Sequence, residues 1–292
     1  MAIAAIGQIC STASLKANLE QCVNLVAKAA SGGAKILFLP EASDYVAPNA
    51  QTSLELALPQ STSPFVAGLR DAAKRHSVAV HVGIHHAPES QTDSLASNST
   101  RRMFNRALYI AADGSIKNEA SYDKLHVFDY ANLKESATVQ PGARLTAPFE
   151  SPIGRIGSLI CFDLRFPEAA VALAQPLPDS PWAASPAQIL TYPSAFTLRT
   201  GKAHWETLLR SRAIETESWV VAAAQVGKHN EKRASYGCSL VVDPWGTVRL
   251  KLGGTDNDGN AEEGATGQIG FFDVDLGEVE RVRREMPLQR RP

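Results

Sequence analysis

Short apolar runs alternate with amphipathic segments along the chain. Apolar runs predict β-strands at 3–10, 36–39, 78–84, 108–111, 153–160, 188–192, 219–225, 239–242 and 267–274. Between them, helical spacing of apolar residues predicts helices from Leu15 to the Gly32-Gly33 pair, over 65–76 and over 200–217. Strands that alternate with helices are typical of an α/β protein whose sheets are covered by helices.

No linker divides the sequence into two parts. The polar or Pro/Gly-rich stretches at 89–99, 175–186 and 253–264 are each about ten residues long and indicate surface loops. We therefore expect a single domain over residues 1–280. The arginine-rich segment 281–292 then forms a C-terminal tail, available for a contact in a homodimer.

Composition excludes several classes of partner. The 292 residues carry a net charge of -1 without a basic stripe, so we expect no nucleic-acid partner. No apolar stretch approaches the roughly 20 residues that span a bilayer, so we expect no membrane partner. The four cysteines are scattered without a Cys-x-x-Cys pair, which indicates neither a disulfide framework nor a metal site. A cytoplasmic protein fits best, and a mitochondrial pool is the alternative.

The segment 153–168 contains the chain's most informative candidate chemistry. An apolar run ends at Cys161, and a helix-forming segment begins directly after it. We expect an exposed thiol surrounded by free N–H groups of the next turn, which favour a thiolate and can bind an oxyanion. A buried core cysteine is the ordinary alternative. However, Asp163, Arg165 and Glu168 crowd against this thiol, which is unusual for core packing.

Three further polar side chains follow predicted strands. Glu41 comes just after the run 36–39, Lys124 follows a β-rich region, and Glu135 comes shortly afterwards. Functional groups collect at the carboxyl ends of strands in α/β sheets. Each residue alone would be an ordinary solvated side chain, but together with Cys161 they form a coherent site. A glutamate can act as general base toward the thiol and then water, and a lysine can stabilise an oxyanion.

Three blocks in this order carry a family resemblance: Leu39-Pro-Glu41, Lys124-Leu-His126 and Cys161-Phe-Asp-Leu-Arg-Phe-Pro-Glu168. They resemble the nitrilase (carbon–nitrogen hydrolase) superfamily, over nearly the whole chain. The resemblance implies a four-layer α-β-β-α sandwich and a Glu-Lys-Cys triad without metal or organic cofactor. It makes Glu41 the general base, Lys124 the oxyanion-stabilising or proton-donating residue and Cys161 the nucleophile. Glu135 matches a second glutamate that positions the lysine and the substrate.

Further segments resemble the Nit branch of this superfamily, namely 40–45, 134–136, 192–197, 201–206 and 242–246. Within the branch, the resemblance is chiefly to fungal enzymes that repair deaminated glutathione. It implies hydrolysis of that small-molecule amide to 2-oxoglutarate and cysteinylglycine through a cysteine thioester. The alternative is an ω-amidase that acts on 2-oxoglutaramate or another small ω-amide. Both substrates have the same acyl half, so the triad does not distinguish them.

Arg165 occupies the position where related amide hydrolases hold a substrate carboxylate, and a guanidinium suits bidentate recognition of that group. A salt bridge to Asp163 or Glu168 is the alternative for this residue. The other residues that we expect to contact substrate are Phe162, Phe196, Thr197 and His204. An amphipathic helix carrying a core tryptophan at Trp205 would produce the same pattern.

Two other functions compete with the amidase. A catalytically silent binding protein would be expected to lack one of the three triad residues, and all three are present. A Cys-His hydrolase would need His126 or His204 to activate the thiol, but the resemblance indicates that His126 supports the lysine loop. The Pro-rich segment 176–186 and the short segment 128–133 depart from the family pattern. If the former folds over the site, it changes which leaving group fits.

Overall fold

The computed structural model describes residues 2–89, 102–130 and 133–288, and their strands form two six-stranded sheets. The first sheet contains, in spatial order, β16 (Gln268–Val274), β1 (Ala2–Gln8), β2 (Ile36–Phe38), β3 (Ala79–His86), β4 (Phe104–Ile110) and β5 (Tyr122–Asp123). The second contains β15 (Val248–Lys251), β14 (Leu240–Val242), β11 (Trp219–Ala222), β10 (Ile189–Thr191), β9 (Gly154–Ser158) and β8 (Phe149–Ser151). Two separate hairpins pair β6 (Asp129–Tyr130) with β7 (Leu133–Lys134) and β12 (Val226–Asn230) with β13 (Arg233–Tyr236).

The helices in these residue ranges begin at side-chain caps or prolines. They are α1 (Leu15–Ser31), α2 (Ala50–Leu56), α3 (Pro64–His76), α4 (Pro167–Ala174), α5 (Leu198–Thr216) and α6 (Leu276–Glu285). Ser14 caps α1 and Ser63 caps α3, each accepting a hydrogen bond from a backbone N–H of the first turn. The predicted α1, α3 and α5 are therefore confirmed to within a few residues.

Alternate residues of each sheet face different cores. Leu37 packs with α1 and α3, whereas its neighbours Ile36 and Phe38 face the second sheet. In the second sheet, Leu190 packs with α4 and α5, and Ile189 faces the first sheet. Helices, two stacked sheets and helices thus follow one another, which confirms the predicted four-layer α-β-β-α sandwich in a single domain.

The carboxyl ends of both sets of parallel strands meet at one end of the sandwich. β1, β2 and β3 are parallel, as are β9, β10 and β11. Ile9, just past β1, bridges to Gln225, just past β11. The Gln225 side chain donates hydrogen bonds to the carbonyls of Glu41 and Ala42, which follow β2. The segments that follow β2 and β9 are therefore close together. They carry Glu41 and Cys161.

The Pro-rich segment 176–186 lies at the opposite end of the second sheet. It connects the last turn of α4 to the amino end of β10, whereas Cys161 follows the carboxyl end of the parallel strand β9. The Trp182 indole donates to the Ala172 carbonyl at 2.7 Å and so holds the segment against α4. The hypothesis that this segment covers the site at Cys161 is wrong. Helix α4 lies between Cys161 and the segment, and it leads the chain back to the amino end of β10.

The C-terminal helix crosses the predicted domain boundary at residue 280. Val282 in α6 is buried, and Arg283 donates to the Ala187 carbonyl and the Ser218 hydroxyl, each at 2.9 Å. Residues 281–285 thus pack on the domain instead of forming a tail. Residues 289–292 of the predicted tail, most of the predicted loop 89–99 and residues 131–132 lie outside the described residues.

Candidate active site

Glu41 is held in a tight turn directly after β2. Its side chain is almost completely buried. Gly83 of β3 passes so close that a Cβ there would lie 2.5 Å from the Glu41 Cα, so this position requires glycine. The Gly83 N–H donates to the Pro40 carbonyl at 3.0 Å, and its carbonyl accepts from the Ser43 N–H at 2.9 Å. The backbone that follows β2 is therefore fixed against β3, and it holds the Glu41 carboxylate in one position.

Lys124 extends from the end of β5 into the same buried space. Its Nζ lies 3.0 Å from Glu41 Oε1 and 2.9 Å from Glu135 Oε2. Glu135 begins a short 3-10 turn after β7, and its Oε2 also accepts a hydrogen bond from the Phe128 N–H at 2.6 Å. One ammonium therefore bridges two carboxylates, and the structure brings the candidate residues Glu41, Lys124 and Glu135 together.

Asn105, in β4, belongs to this group and was missed by the sequence reasoning. Its Nδ2 donates to Glu41 Oε1 at 2.6 Å and to Glu135 Oε1 at 2.9 Å. The signal that could have revealed it is a buried, uncharged polar residue near the start of β4, on the chain segment that precedes Lys124. Strand neighbours of a catalytic lysine are candidates for holding its partners.

Cys161 opens a 3-10 turn, Cys161–Arg165, at the end of the β9 chain segment. Its backbone has φ 45°, in the left-handed region that non-glycine residues rarely adopt, and its N–H donates to the Pro193 carbonyl at 3.1 Å. The Glu41 and Lys124 side chains and the Ala195 N–H lie near its sulfur. The expectation of an exposed thiol is wrong, because the residue is only 8% exposed beneath the segment 193–196.

Asp163 joins the turn at Cys161 to the lysine loop. This fully buried carboxylate accepts from the Ile160 N–H at 3.0 Å and from the Tyr122 hydroxyl at 2.8 Å. It also accepts from the backbone N–H of His126 at 3.0 Å and from its ring Nδ1 at 2.7 Å. His126 in addition stacks on Phe166, with ring centroids 3.5 Å apart. These contacts agree with a supporting part for His126.

The buried charges set the protonation states of the group. Burial alone would raise the pKa of Glu41, but the Lys124 charge and hydrogen bonds from Cys161, Lys124 and Asn105 lower it below its ordinary value. Burial opposes the charge on Lys124, but Glu135 and Glu41 together raise its pKa well above the ordinary value. The resting pair is therefore an ionised carboxylate and a protonated amine.

Burial and the nearby charge of Glu41 raise the pKa of Cys161, and the opposing effects of Lys124 and the Ala195 N–H are smaller. The thiol is thus neutral at rest. The expectation that free N–H groups favour a thiolate is wrong for the resting site, because desolvation and a negative neighbour outweigh them. A neutral thiol in contact with an ionised glutamate is arranged for removal of its proton during attack.

Arg165, Phe162 and His204 lie together beyond the thiol. The Arg165 guanidinium donates to Nδ1 of His204 at 2.9 Å, and its central carbon lies 6.0 Å from the Phe162 ring centroid. Within the described part of the chain, Arg165 forms no ion pair with Asp163 or Glu168, the alternative considered from sequence. Its guanidinium is therefore not neutralised by either carboxylate.

Phe196 and Thr197 have clear structural contacts. Phe196 packs on Trp205 with ring centroids 4.7 Å apart, and the Trp205 indole donates to the Cys238 carbonyl inside the core. Thr197 caps α5 by accepting from the Thr200 N–H at 3.3 Å. Both residues follow Ala195, which touches the thiol, so they lie on a segment that passes the site.

Across residues 2–89, 102–130 and 133–288, no group of three or more His, Cys, Asp or Glu side chains is placed to hold a metal ion. In the same ranges no helix is long and apolar enough to cross a membrane.

The four-layer fold with its buried Glu-Lys-Cys group is that of a nitrilase-fold hydrolase. The chain belongs to the carbon–nitrogen hydrolase family, whose family model matches residues 3–284.

Relatives with the same domain include the probable hydrolase nit2 of Schizosaccharomyces pombe, 41% identical, with 100% of this chain and 98% of that protein covered. Human deaminated glutathione amidase is 37% identical, with 99% of this chain and 82% of that protein covered. Among solved structures, the Caenorhabditis elegans NitFhit protein matches with a TM-score of 0.82 at 35% identity over 98% of this chain. This chain spans 65% of the length of that longer protein.

Proposed function

We propose that the protein is an amidase that hydrolyses deaminated glutathione to 2-oxoglutarate and cysteinylglycine, a repair of a damaged metabolite. The observation that carries the proposal is the buried contact of Glu41, Lys124 and Cys161. A neutral thiol, an ionised carboxylate and a protonated amine are the groups that amide cleavage through a thioester requires. The identity of 37% with human deaminated glutathione amidase supports the choice of substrate.

In the first half of the reaction, the Cys161 sulfur attacks the amide carbonyl carbon while Glu41 takes the thiol proton. Negative charge develops on the carbonyl oxygen, and the Lys124 ammonium stabilises it. Collapse of this intermediate breaks the C–N bond, and Glu41 returns the proton to the departing amine of cysteinylglycine. A thioester between Cys161 and the 2-oxoglutaryl group remains.

In the second half, Glu41 takes a proton from water as its oxygen attacks the thioester carbon. The C–S bond breaks, the sulfur recovers a proton from Glu41, and 2-oxoglutarate leaves. Glu135 holds Lys124 from the side opposite Glu41, which keeps the ammonium in place through both halves. No redox step and no co-reactant other than water is needed.

Arg165 is proposed to bind the carboxylate next to the keto group of the substrate. Its planar guanidinium matches a carboxylate with two parallel hydrogen bonds, and its contacts with His204 and Phe162 fix the plane of the group. Phe196 and Thr197 are proposed to form part of the pocket wall, on the segment that carries Ala195. The second candidate substrate, 2-oxoglutaramate, presents the same carboxylate, so the Arg165 contact favours both.

The test is release of 2-oxoglutarate from deaminated glutathione and from 2-oxoglutaramate, with Cys161→Ala as the blank. A much higher kcat/KM on deaminated glutathione is the expected result. Preference for 2-oxoglutaramate would make the protein an ω-amidase. Absence of cysteine-dependent release from either amide would contradict the proposed activity and favour a silent binding protein.

We further propose that the protein forms homodimers in the cytoplasm. The apolar side chains of Trp245 and Ile214 are 62% and 43% exposed, and the backbone of Gly246, the chain neighbour of Trp245, packs against Ile214. The cysteines Cys10, Cys22, Cys161 and Cys238 are free, which suits a reducing compartment. Sedimentation of the native chain should give twice the monomer mass, and Trp245→Ser should shift it toward monomer. Fractionation of cells that express a tagged chain tests the compartment.

A further inference from the structure

We propose that Asn105 is a positioning residue that fixes Glu41 and Glu135 around the lysine and presents the free oxygen of Glu41 to the thiol. The inference rests on the proposed function of this site. It adds a residue to the reaction that the Glu-Lys-Cys pattern does not contain.

The two carboxylates and two nitrogen donors form a closed square. Asn105 Nδ2 lies 2.6 Å from Glu41 Oε1 and 2.9 Å from Glu135 Oε1. Lys124 Nζ lies 3.0 Å and 3.1 Å from the same two oxygens. Each Oε1 atom thus accepts from both nitrogens. Since two donors occupy Oε1 of Glu41, its second oxygen is the one available to take the proton from Cys161.

The backbone of Asn105 also holds the third member of the group. Its carbonyl accepts from the Lys124 N–H at 2.9 Å, next to the strand pair Arg106 and Asp123. A single residue therefore sets the distance between the lysine backbone and both carboxylates. A shift of β4 relative to β5 would move Lys124 and release the two glutamates together.

The chemistry of the site restricts the residue type at this position. Two carboxylates within reach of one ammonium leave a buried net negative charge, and a neutral donor relieves their repulsion without neutralising the base. An aspartate would bring a third negative charge. The amide oxygen Oδ1 of Asn105 has no partner among the described residues, whereas a flipped amide would direct that oxygen at both carboxylates. Only the observed orientation directs the amide donors at both glutamates.

Loss of the amide should therefore change the acid limb of the pH profile, that is, the fall of kcat/KM at low pH where Glu41 becomes protonated. The hydrogen bond from Asn105 is one of the contacts that lower the pKa of Glu41. Removing it should move the acid limb upward by about 1 to 2 pH units, because a hydrogen bond to an ionised group is worth that much in protonation equilibrium. Asn105→Leu removes the donor, and Asn105→Asp replaces it with a further acid and should shift the limb more.

The experiment measures two rates from about pH 3 to pH 9. One is kcat/KM for release of 2-oxoglutarate, and the other is alkylation of Cys161 by iodoacetamide, which needs no substrate. The matched control is Asn18→Leu, since Asn18 is an equally buried amide that bonds to the carbonyls of Thr12 and Asp44. Thermal unfolding of every variant reports loss of packing.

We expect the acid limb to shift upward in both Asn105→Leu and Asn105→Asp. We also expect kcat to fall by a larger factor than KM rises. Asn18→Leu should lower the unfolding temperature without shifting the limb. The proposal is overturned if Asn105→Leu unfolds earlier but keeps the wild-type limb in both assays. The alkylation assay distinguishes failure of the proposed amidase activity from failure of the proposed role of Asn105. Its pH dependence reports the protonation of Glu41 beside Cys161 even if neither amide is hydrolysed.

Discussion

At the residue scale, two neighbouring charges act on the Cys161 thiol in opposite directions. The Glu41 carboxylate and burial favour the neutral thiol, whereas the Lys124 ammonium favours the thiolate, and the first two effects are the larger. The thiol therefore needs a base at the moment of attack. This differs from sites where a histidine and a helix N-terminus hold a standing thiolate.

The pH dependence follows from the shifted groups. The pKa of Glu41 is lowered, so this base stays ionised until the pH falls below the ordinary glutamate range; the pKa of Lys124 is raised, so its charge persists far into alkaline solution. We expect kcat/KM to be flat from about pH 6 to pH 9, between the acid and alkaline limbs. Glu41→Gln should lower kcat/KM by at least about 100-fold throughout that range. A bell-shaped profile centred near neutrality would instead indicate a histidine base.

Arg165 gives a second prediction at this scale. Arg165→Lys keeps the positive charge but loses the planar pair of donors, so binding of the substrate carboxylate should weaken. We expect KM to rise about 10- to 100-fold with little change in kcat. Arg199→Lys, at an exposed position near the start of α5, is the matched control. Equal kinetics of the two variants would place the carboxylate elsewhere in the pocket.

At the scale of the elements, Asp163 connects the turn at Cys161 to the loop that carries Lys124. Four hydrogen bonds converge on this buried carboxylate from residues on either side of Lys124 and from Ile160. Neither segment belongs to a long helix or strand, so their relative position depends on this side chain. The sequence placed Asp163 beside the thiol but not between the two loops.

Asp163→Asn tests this coupling. The substitution keeps the shape but directs an NH2 group at hydrogen-bond donors, which should lower the free energy of unfolding by about 1 to 3 kcal/mol. We also expect kcat to fall, because Cys161 and Lys124 lose their fixed distance. Denaturant unfolding and steady-state kinetics measure both effects, and Asp256→Asn in an exposed loop is the control. A variant as stable and active as the control would contradict the coupling.

The elements that the sequence predicted share a simple physical origin. Apolar strands such as β2 and β10 are buried on both faces, so their composition alone identifies them. By contrast, β8 and β15 are edge strands with partly exposed residues, and α2 has no buried residue, so no apolar pattern marks them. Asn105 escaped notice for a related reason, since its importance depends on partners far away in the sequence.

At the scale of the whole molecule, the site exists because two sheets meet at their carboxyl ends. Glu41 leaves the first sheet and Cys161 leaves the second, and Gln225 lies between these exits. Its amide nitrogen donates to the Glu41 carbonyl at 2.9 Å and to the Ser11 hydroxyl at 2.8 Å. The distance between Glu41 and Cys161 is thus set by the stacking of the sheets, which local sequence patterns do not encode.

A pair of buried glutamines separates this positioning effect from general stability. Gln225 and Gln8 are both fully buried and both hydrogen-bond across the molecule, but Gln8 bonds to Gly253, Ala265 and Ser239. Replacing either by leucine leaves buried backbone groups unpaired, so both variants should lose about 1 to 3 kcal/mol of unfolding free energy. Only Gln225→Leu should also lower kcat, because only that side chain holds the Glu41 backbone. Kinetics well below the unfolding temperature, together with thermal unfolding, measure the two effects separately. If Gln8→Leu lowered kcat as much, the loss would come from weaker packing of the sheets and not from a displaced base.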